Sequence, residues 1–156
     1  MPGSIEAILV AVKSGQPMQN LASAALVAGS GIRGDRNYRD ALRDGLVHDQ
    51  QITLIAAEEI DRFNSVTGLG IGGADTRRNV VTRDVDLSVL VGREFRVGVT
   101  TLIGVELCEP CATLGKELAT VEVSAAKVVQ TFLHRAGLRA RINVGGTIAR
   151  GDRIDV

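Results

Sequence analysis

The amino-acid sequence predicts a mainly β fold, a mostly antiparallel barrel carrying a few helices at its rim. Three observations carry that expectation. Eighteen glycines stand among many Val and Ile residues and few aromatics, a composition suited to short strands with tight corners. Most apolar segments have the length and period of strands, and few have the period of a helix. The 156 residues are the size of one domain, here read as residues 1–156, with no linker or internal repeat to divide them.

Charge and composition narrow the function classes. Lys plus Arg equals Asp plus Glu at 18 each, so no basic field points to nucleic acid and no acidic tail is present. The start, Met1-Pro2-Gly3-Ser4, lacks the basic and apolar regions of a signal peptide, and no apolar run approaches the ~20 residues that span a membrane. The expected location is the cytoplasm, with neither nucleic acid nor membrane as a partner. Two cysteines, Cys108 and Cys111, fit a reducing compartment, where such a pair is more often redox-active, catalytic or metal-binding than structural.

Along the chain, Ile5 to Lys13 is an apolar run expected to form a strand buried on nearly both faces. A short strand is possible at Ala24 to Ala28. Gly31-Ile32-Arg33-Gly34-Asp35-Arg36 opens a long polar loop that runs to Gln51, and loops of that length often carry function. Gln51 to Ile55 alternates like a half-buried strand. Ala57 to Thr67 reads as a helix with Glu58, Glu59 and Asp61 in its first turns, an apolar face through Ala56, Ile60 and Phe63, and Gly68 as its stop. Gly68 to Gly73 is glycine-rich but follows a helix, which excludes a dinucleotide-binding turn. Arg77 and Arg78 then stand at the entrance of a strand at Val80-Val81-Thr82, where guanidiniums can offer bidentate donors to phosphate.

Val89 to Leu107 reads as a meander of short strands with a break at Gly104. Ser124 is expected to cap a helix whose stripe is Ala125, Val128, Val129, Phe132, Leu133 and Ala136, stopping at Gly137. Leu138 to Val144 alternates strictly, and Gly145-Gly146 is expected to turn it into a last strand, closing the chain with two hairpin-like strands.

Leu107-Cys108-Glu109-Pro110-Cys111-Ala112-Thr113-Leu114 holds both cysteines. Pro110 suits the start of a helix, which puts Cys111 in the first turn, where unpaired N–H groups favour a thiolate. Cys111 is therefore the expected nucleophile or soft metal ligand, while Cys108, at the end of an apolar run, is expected to pack. A dithiol switch and a zinc site with His48 and His134 are the competing uses, but neither has the surrounding pattern such sites need.

An ordered series of pieces resembles the MOSC domains, named for the C-terminal domain of molybdenum cofactor sulfurase. The pieces are Gly31 to Arg36, Ile52 to Ile55 with Glu58-Glu59, Arg78-Asn79-Val80 with Asp86-Leu87, and Val91-Gly92 through Val97-Gly98. Pro110-Cys111 with Leu114, Arg135-Ala136-Gly137, Gly145-Gly146 and Gly151-Asp152 complete it. The resemblance implies a barrel like the β domain of pyruvate kinase and a pocket for a molybdenum-pterin cofactor of the molybdopterin type, or for sulfur bound for it. It implies Cys111 as molybdenum ligand or persulfide carrier, supporting oxidoreductase or sulfur-transfer chemistry. Arg33, Arg36, Arg77, Arg78 and Asn79 become candidates to hold the cofactor's phosphate and pterin. The implied partners are the cofactor or its sulfur donor, and a cysteine desulfurase or an electron-transfer reductase. The chain covers only the MOSC portion, so no pyridoxal-phosphate site is expected in it. The loop after Arg36 lacks the His-Gly pattern of other branches, with His48 the one histidine in reach.

Overall fold

The computed structural model describes residues 2–156. In chain order the elements are β1 (Gly3–Val10), β2 (Gln19–Leu21), β3 (Ser23–Val27), β4 (Gly31–Ile32), α1 (Ala41–Asp44), β5 (Ile52–Ala56), α2 (Ala57–Thr67) and β6 (Val80–Arg83). They continue as β7 (Glu94–Val97), β8 (Thr100–Leu107), α3 (Ala112–Leu118), α4 (Ala125–Phe132), β9 (Leu138–Val144), β10 (Gly146–Ala149) and β11 (Arg153–Asp155). Seven strands close on themselves in the order β1, β11, β7, β8, β9, β5, β6 and back to β1, which gives the expected mainly β barrel. Strand β2 extends β1 outside the ring, and β10, β3 and β4 form a small separate sheet. Each pairing between these strands is antiparallel except β5 with β6, which α2 joins as a crossover.

Alternation along the strands builds two cores on the two sides of one wall. Ile8, Leu54, Val80, Leu102, Leu138 and Ile154 meet inside the barrel, and the small sheet adds Leu26 and Ile148 to the same cluster. The outward residues Leu9, Ile55 and Val81 meet Ile60 and Phe63 of α2, Leu114 of α3, and Val128 and Phe132 of α4. Phe63 and Phe132 stack with ring centroids 4.2 Å apart, pinning α2 to α4. The inward positions Ile5 and Ile8 are three apart, an odd spacing that a regular strand cannot place on one face. A register shift between Ile5 and Ala7 in the β1–β6 pairing resolves it.

Several expectations change on contact with the structure. The strand expected half-buried at Gln51 to Ile55 starts at Ile52 and is buried on both faces over its second half, because the helical layer covers Ile55. Gln51 itself is fully buried, its amide donating to His48 O at 2.7 Å and accepting from Ile142 N at 2.8 Å. The break expected at Gly104 is a bulge within one continuous strand, and Leu87–Val89 is a 3₁₀ turn. Helix α4 ends at Phe132, not at Ala136; Leu133 leaves the helix half exposed and His134 turns the chain at φ 62°. The final strands do not form a hairpin with β9. β10 pairs with β3 and β11 with β7 and β1, because Gly145 runs so close to β3 that a Cβ there would lie 2.5 Å from Leu26 O.

Candidate functional site

The cysteine stretch leaves β8 and enters α3 at the edge of the outer core. Cys108 N–H donates to Gly137 O at 2.8 Å, which ties the stretch to the turn before β9. That turn is itself pressed on the barrel: a Cβ on Gly137 would lie 2.1 Å from Leu54 O, and its φ of 114° is a conformation only glycine adopts readily. The helix begins one residue later than expected. Pro110 precedes it, and Cys111 is its N-cap, with extended backbone and with Sγ accepting from Leu114 N at 3.5 Å. A residue in that position has one side of its side chain open to solvent, and Cys111 is exposed while Cys108 is 4% exposed. Burial pushes the Cys108 thiol up, and the charges of Arg78 and Arg139 offset only part of that shift.

Cys108 and Cys111 line a cavity of about 400 Å³ together with Arg36, Arg77, Arg78 and Arg139, a size within the ligand-pocket range. Arg36 comes from the loop after β4, Arg77 and Arg78 from the segment before β6 and Arg139 from β9, and each donates to a protein acceptor. Arg36 is fixed by Asp35, whose carboxylate is buried: Oδ1 accepts from Arg36 Nη1 at 3.0 Å and from Ala11 N at 3.2 Å, and Oδ2 accepts from Asn37 N at 3.2 Å. The loop expected to carry function therefore contributes one cavity residue and a buried anchor for it. Arg36 Nη2 also donates to Arg77 O at 2.9 Å, and the Arg77 guanidinium donates to Gln16 O. Arg78 Nε donates to Ala136 O at 2.8 Å. Arg139 stands on the outward face of β9 opposite Thr53 of β5, and its Nη1 pairs with Glu106.

The cavity therefore gathers Cys111, Arg36, Arg77 and Arg78 from the sequence-derived set and leaves out two others. Arg33 lies over the Tyr38 ring, 5.8 Å from its centroid, away from the lining. Asn79 is buried beneath the site, with Oδ1 accepting from Thr53 N at 3.1 Å and Nδ2 donating to Leu9 O at 3.1 Å, so its amide knits β1 to β5. Arg139 and the carboxylates Glu109 and Glu117 were not picked out from the sequence. Arg139 sits in a strictly alternating strand, where an outward arginine looks like ordinary surface charge. The cavity it lines is completed by Arg36, Arg77 and Arg78 from far earlier in the chain.

His48 and His134 lie elsewhere. His48 Nε2 bonds to Ser30 O at 2.8 Å, and His134 pairs with Glu109 at 3.0 Å. Among the described residues no three His, Cys, Asp or Glu side chains come together as a metal cage. A larger hollow of about 720 Å³ lies beyond the Glu109–His134 pair, with Glu58, Glu59, Asp84 and Asp86 on its lining and neither cysteine. The smaller cavity is the one lined by both thiols and four guanidiniums, so its chemistry and not its size makes it the candidate.

A model of the MOSC domain matches residues 21–155. The chain belongs to the MOSC domain family, which is associated with the molybdenum cofactor. Solved structures share the fold across 99% of this chain. They include the YUAD protein from Bacillus subtilis, at 19% identity, a TM-score of 0.84 and 94% of that chain covered. YiiM from Geobacillus stearothermophilus matches at 16% identity, a TM-score of 0.71 and 74% of its chain. YiiM from Escherichia coli matches at 16% identity, a TM-score of 0.69 and 69% of its chain. No curated protein matches the chain. Among the described residues no helix is long and apolar enough to cross a membrane.

The lining suits the family's cofactor. Of the four lining guanidiniums, Arg36 and Arg139 are paired with Asp35 and Glu106, whereas Arg77 and Arg78 have no ion pair among the described residues and can turn to an anionic group, and the exposed Cys111 thiol offers the soft donor that molybdenum accepts. The buried Arg139 Nε has no hydrogen-bond partner among the described residues.

Proposed function

We propose that this MOSC domain binds a molybdenum-pterin cofactor in the Cys111 cavity, with the Cys111 thiolate as the protein's ligand to the metal. The observation that carries the reading is the exposed Cys111 beside a cavity lined by Arg36, Arg77, Arg78 and Arg139. The arginines would hold the anionic parts of the cofactor, and the molybdenum centre, when bound, would supply two-electron redox or oxygen- and sulfur-transfer chemistry. Arg36 is pre-set by the buried Asp35, so little side-chain freedom remains to be lost on binding. Cys108, buried behind the mouth, packs and does not compete as a ligand.

A second reading, sulfur carriage on Cys111 without a resident metal, is favoured by the burial of the neighbouring thiol. A persulfide on Cys111 would have no accessible Cys108 to resolve it into a disulfide. In this reading the partner is a cysteine desulfurase; in the first it is a reductase.

The test is the molybdenum and pterin content of protein purified from a cofactor-producing host, wild type beside Cys111→Ser, with circular dichroism as the check on folding. Near-stoichiometric metal and pterin in the wild type and loss of the metal in the variant are expected. A metal-free wild type that gains one dithiothreitol-labile sulfur on Cys111 from a desulfurase selects the second reading, and absence of both sinks the two together.

A further inference from the structure

The hollow of about 720 Å³ holds neither cysteine and has no part in the proposed function, yet its size falls within the range of small-molecule pockets. Alternation in Asp84-Val85-Asp86-Leu87 shapes it. Val85 and Leu87 are buried while Asp84 and Asp86 are exposed, so an apolar floor carries a carboxylate rim. Ala56 and Leu107 extend the floor, and Leu133, half exposed where α4 ends, gives it an apolar edge.

The rim charges lack cations of their own. Arg135 is paired with Glu59 and His134 with Glu109, whereas Glu58, Asp84 and Asp86 make no ion pair among the described residues. Glu58 Oε2 accepts from Asp84 N at 2.8 Å, and Asp86 Oδ1 accepts from Ser88 N and Ser88 Oγ. Asp86 Oδ2 and the whole Asp84 carboxylate are left without a donor among the described residues. Helix α2 begins at the same hollow, but Glu58 and Glu59 in its first turn offset its positive end. Charge and floor together complement a cation with an apolar body. A bare metal ion is a poorer match, because among the described residues no three His, Cys, Asp or Glu side chains gather as a cage. No aromatic ring lines the hollow to receive a quaternary ammonium, whereas a primary ammonium brings N–H donors for the carboxylates.

We propose that this hollow binds a small primary amine in its ammonium form, the ammonium held by Asp84 and Asp86 and the apolar part covering Val85, Leu87 and Leu133. The site is separate from the Cys111 cavity and does not rest on the cofactor reading.

The experiment is calorimetric titration of the purified chain with phenylpropylamine, its neutral analogue phenylpropanol, its trimethylammonium analogue and calcium ion. Saturable binding of the amine is expected, at least about tenfold tighter than that of the alcohol or the trimethylammonium compound. Asp84→Asn suits the positive φ of 63° at that position, and Asp86→Asn keeps a cap on Ser88 N, so both variants should fold. Combined, they should weaken the amine about tenfold or more. Glu122→Gln, an exposed carboxylate outside the hollow, and Cys111→Ser should leave binding unchanged. Absence of saturable binding, equal binding of the alcohol or the trimethylammonium compound, or an unaffected double variant overturns the proposal. Displacement of the amine by an equal concentration of calcium would give the carboxylates to a metal and overturn it too. Sedimentation that shows a dimer dissociated by the amine would assign the hollow to a second copy of the chain, with the same result.

Discussion

At the scale of single residues, two cysteines three positions apart occupy different media. Cys111 is open to solvent at a helix N-cap; Cys108 is enclosed, and its thiol is held above its usual range by burial. A native-state thiol titration should therefore find one fast-reacting thiol, with the second appearing only on unfolding. The raised folded value also fixes a pH dependence. The stability from keeping Cys108 neutral is complete below the unfolded thiol value of about 8.5, and it is lost as pH rises through the higher folded value. Urea denaturation at about pH 7 and about pH 9.5 should show a smaller alkaline loss in Cys108→Ala than in the wild type; equal losses would contradict the assignment. This asymmetry was legible in the sequence, because an apolar run leads into Cys108 and a proline separates it from Cys111. The roles of Arg33 and Asn79 were not legible. Adjacency to other arginines says nothing about side-chain direction, and the amide of Asn79 is bound to backbone contributed by β1 and β5.

At the scale of elements, the turn before β9 fixes the cysteine stretch to the barrel. Gly137 meets Leu54 O on one side and accepts from Cys108 N on the other. Gly137→Ala is expected to lower stability by at least about 3 kcal/mol, since both the close approach and the positive φ reject a Cβ. Ser124→Ala removes only the N-cap bond to Lys127 N and should lower it by about 1 kcal/mol. Chemical denaturation of the two variants compares them directly, and a Gly137→Ala variant as mild as Ser124→Ala would show that the turn can relax. The bounds of α2 could be read from local signals alone, acids at its start and Gly68 at its end. Helix α4 could not, because Leu133 continues the apolar phase although the chain has to turn to reach Gly137. The partner of β10 was hidden for a similar reason: pairing with β3 depends on a contact more than a hundred residues away.

At the scale of the whole molecule, closure of the barrel depends on its last strand. β11 is three residues long, yet it bridges β7 and β1 and inserts Ile154 into the inner core. Deleting residues 153–156 should leave two unpaired strand edges and a void, and abolish the single cooperative thermal transition expected of the intact chain. A truncated protein that still melts cooperatively near the wild-type temperature would show that the ring closes without it. The barrel class was legible because strand period and glycine corners recur along the chain, whereas ring order depends on which distant edges meet. The second core has a further consequence. Arg36 is braced by Asp35, Arg78 by Ala136 O and Arg139 by Glu106, all on or against the barrel wall, while the hydrogen bonds of Cys111 stay within the start of α3. In the proposed site the cationic donors thus belong to the barrel, and the ligating sulfur belongs to the start of α3, which is tied to the barrel through Cys108 and Leu114. Exchanging that sulfur for oxygen or selenium would leave the braces of Arg36, Arg78 and Arg139 in place, because none of them involves Cys111.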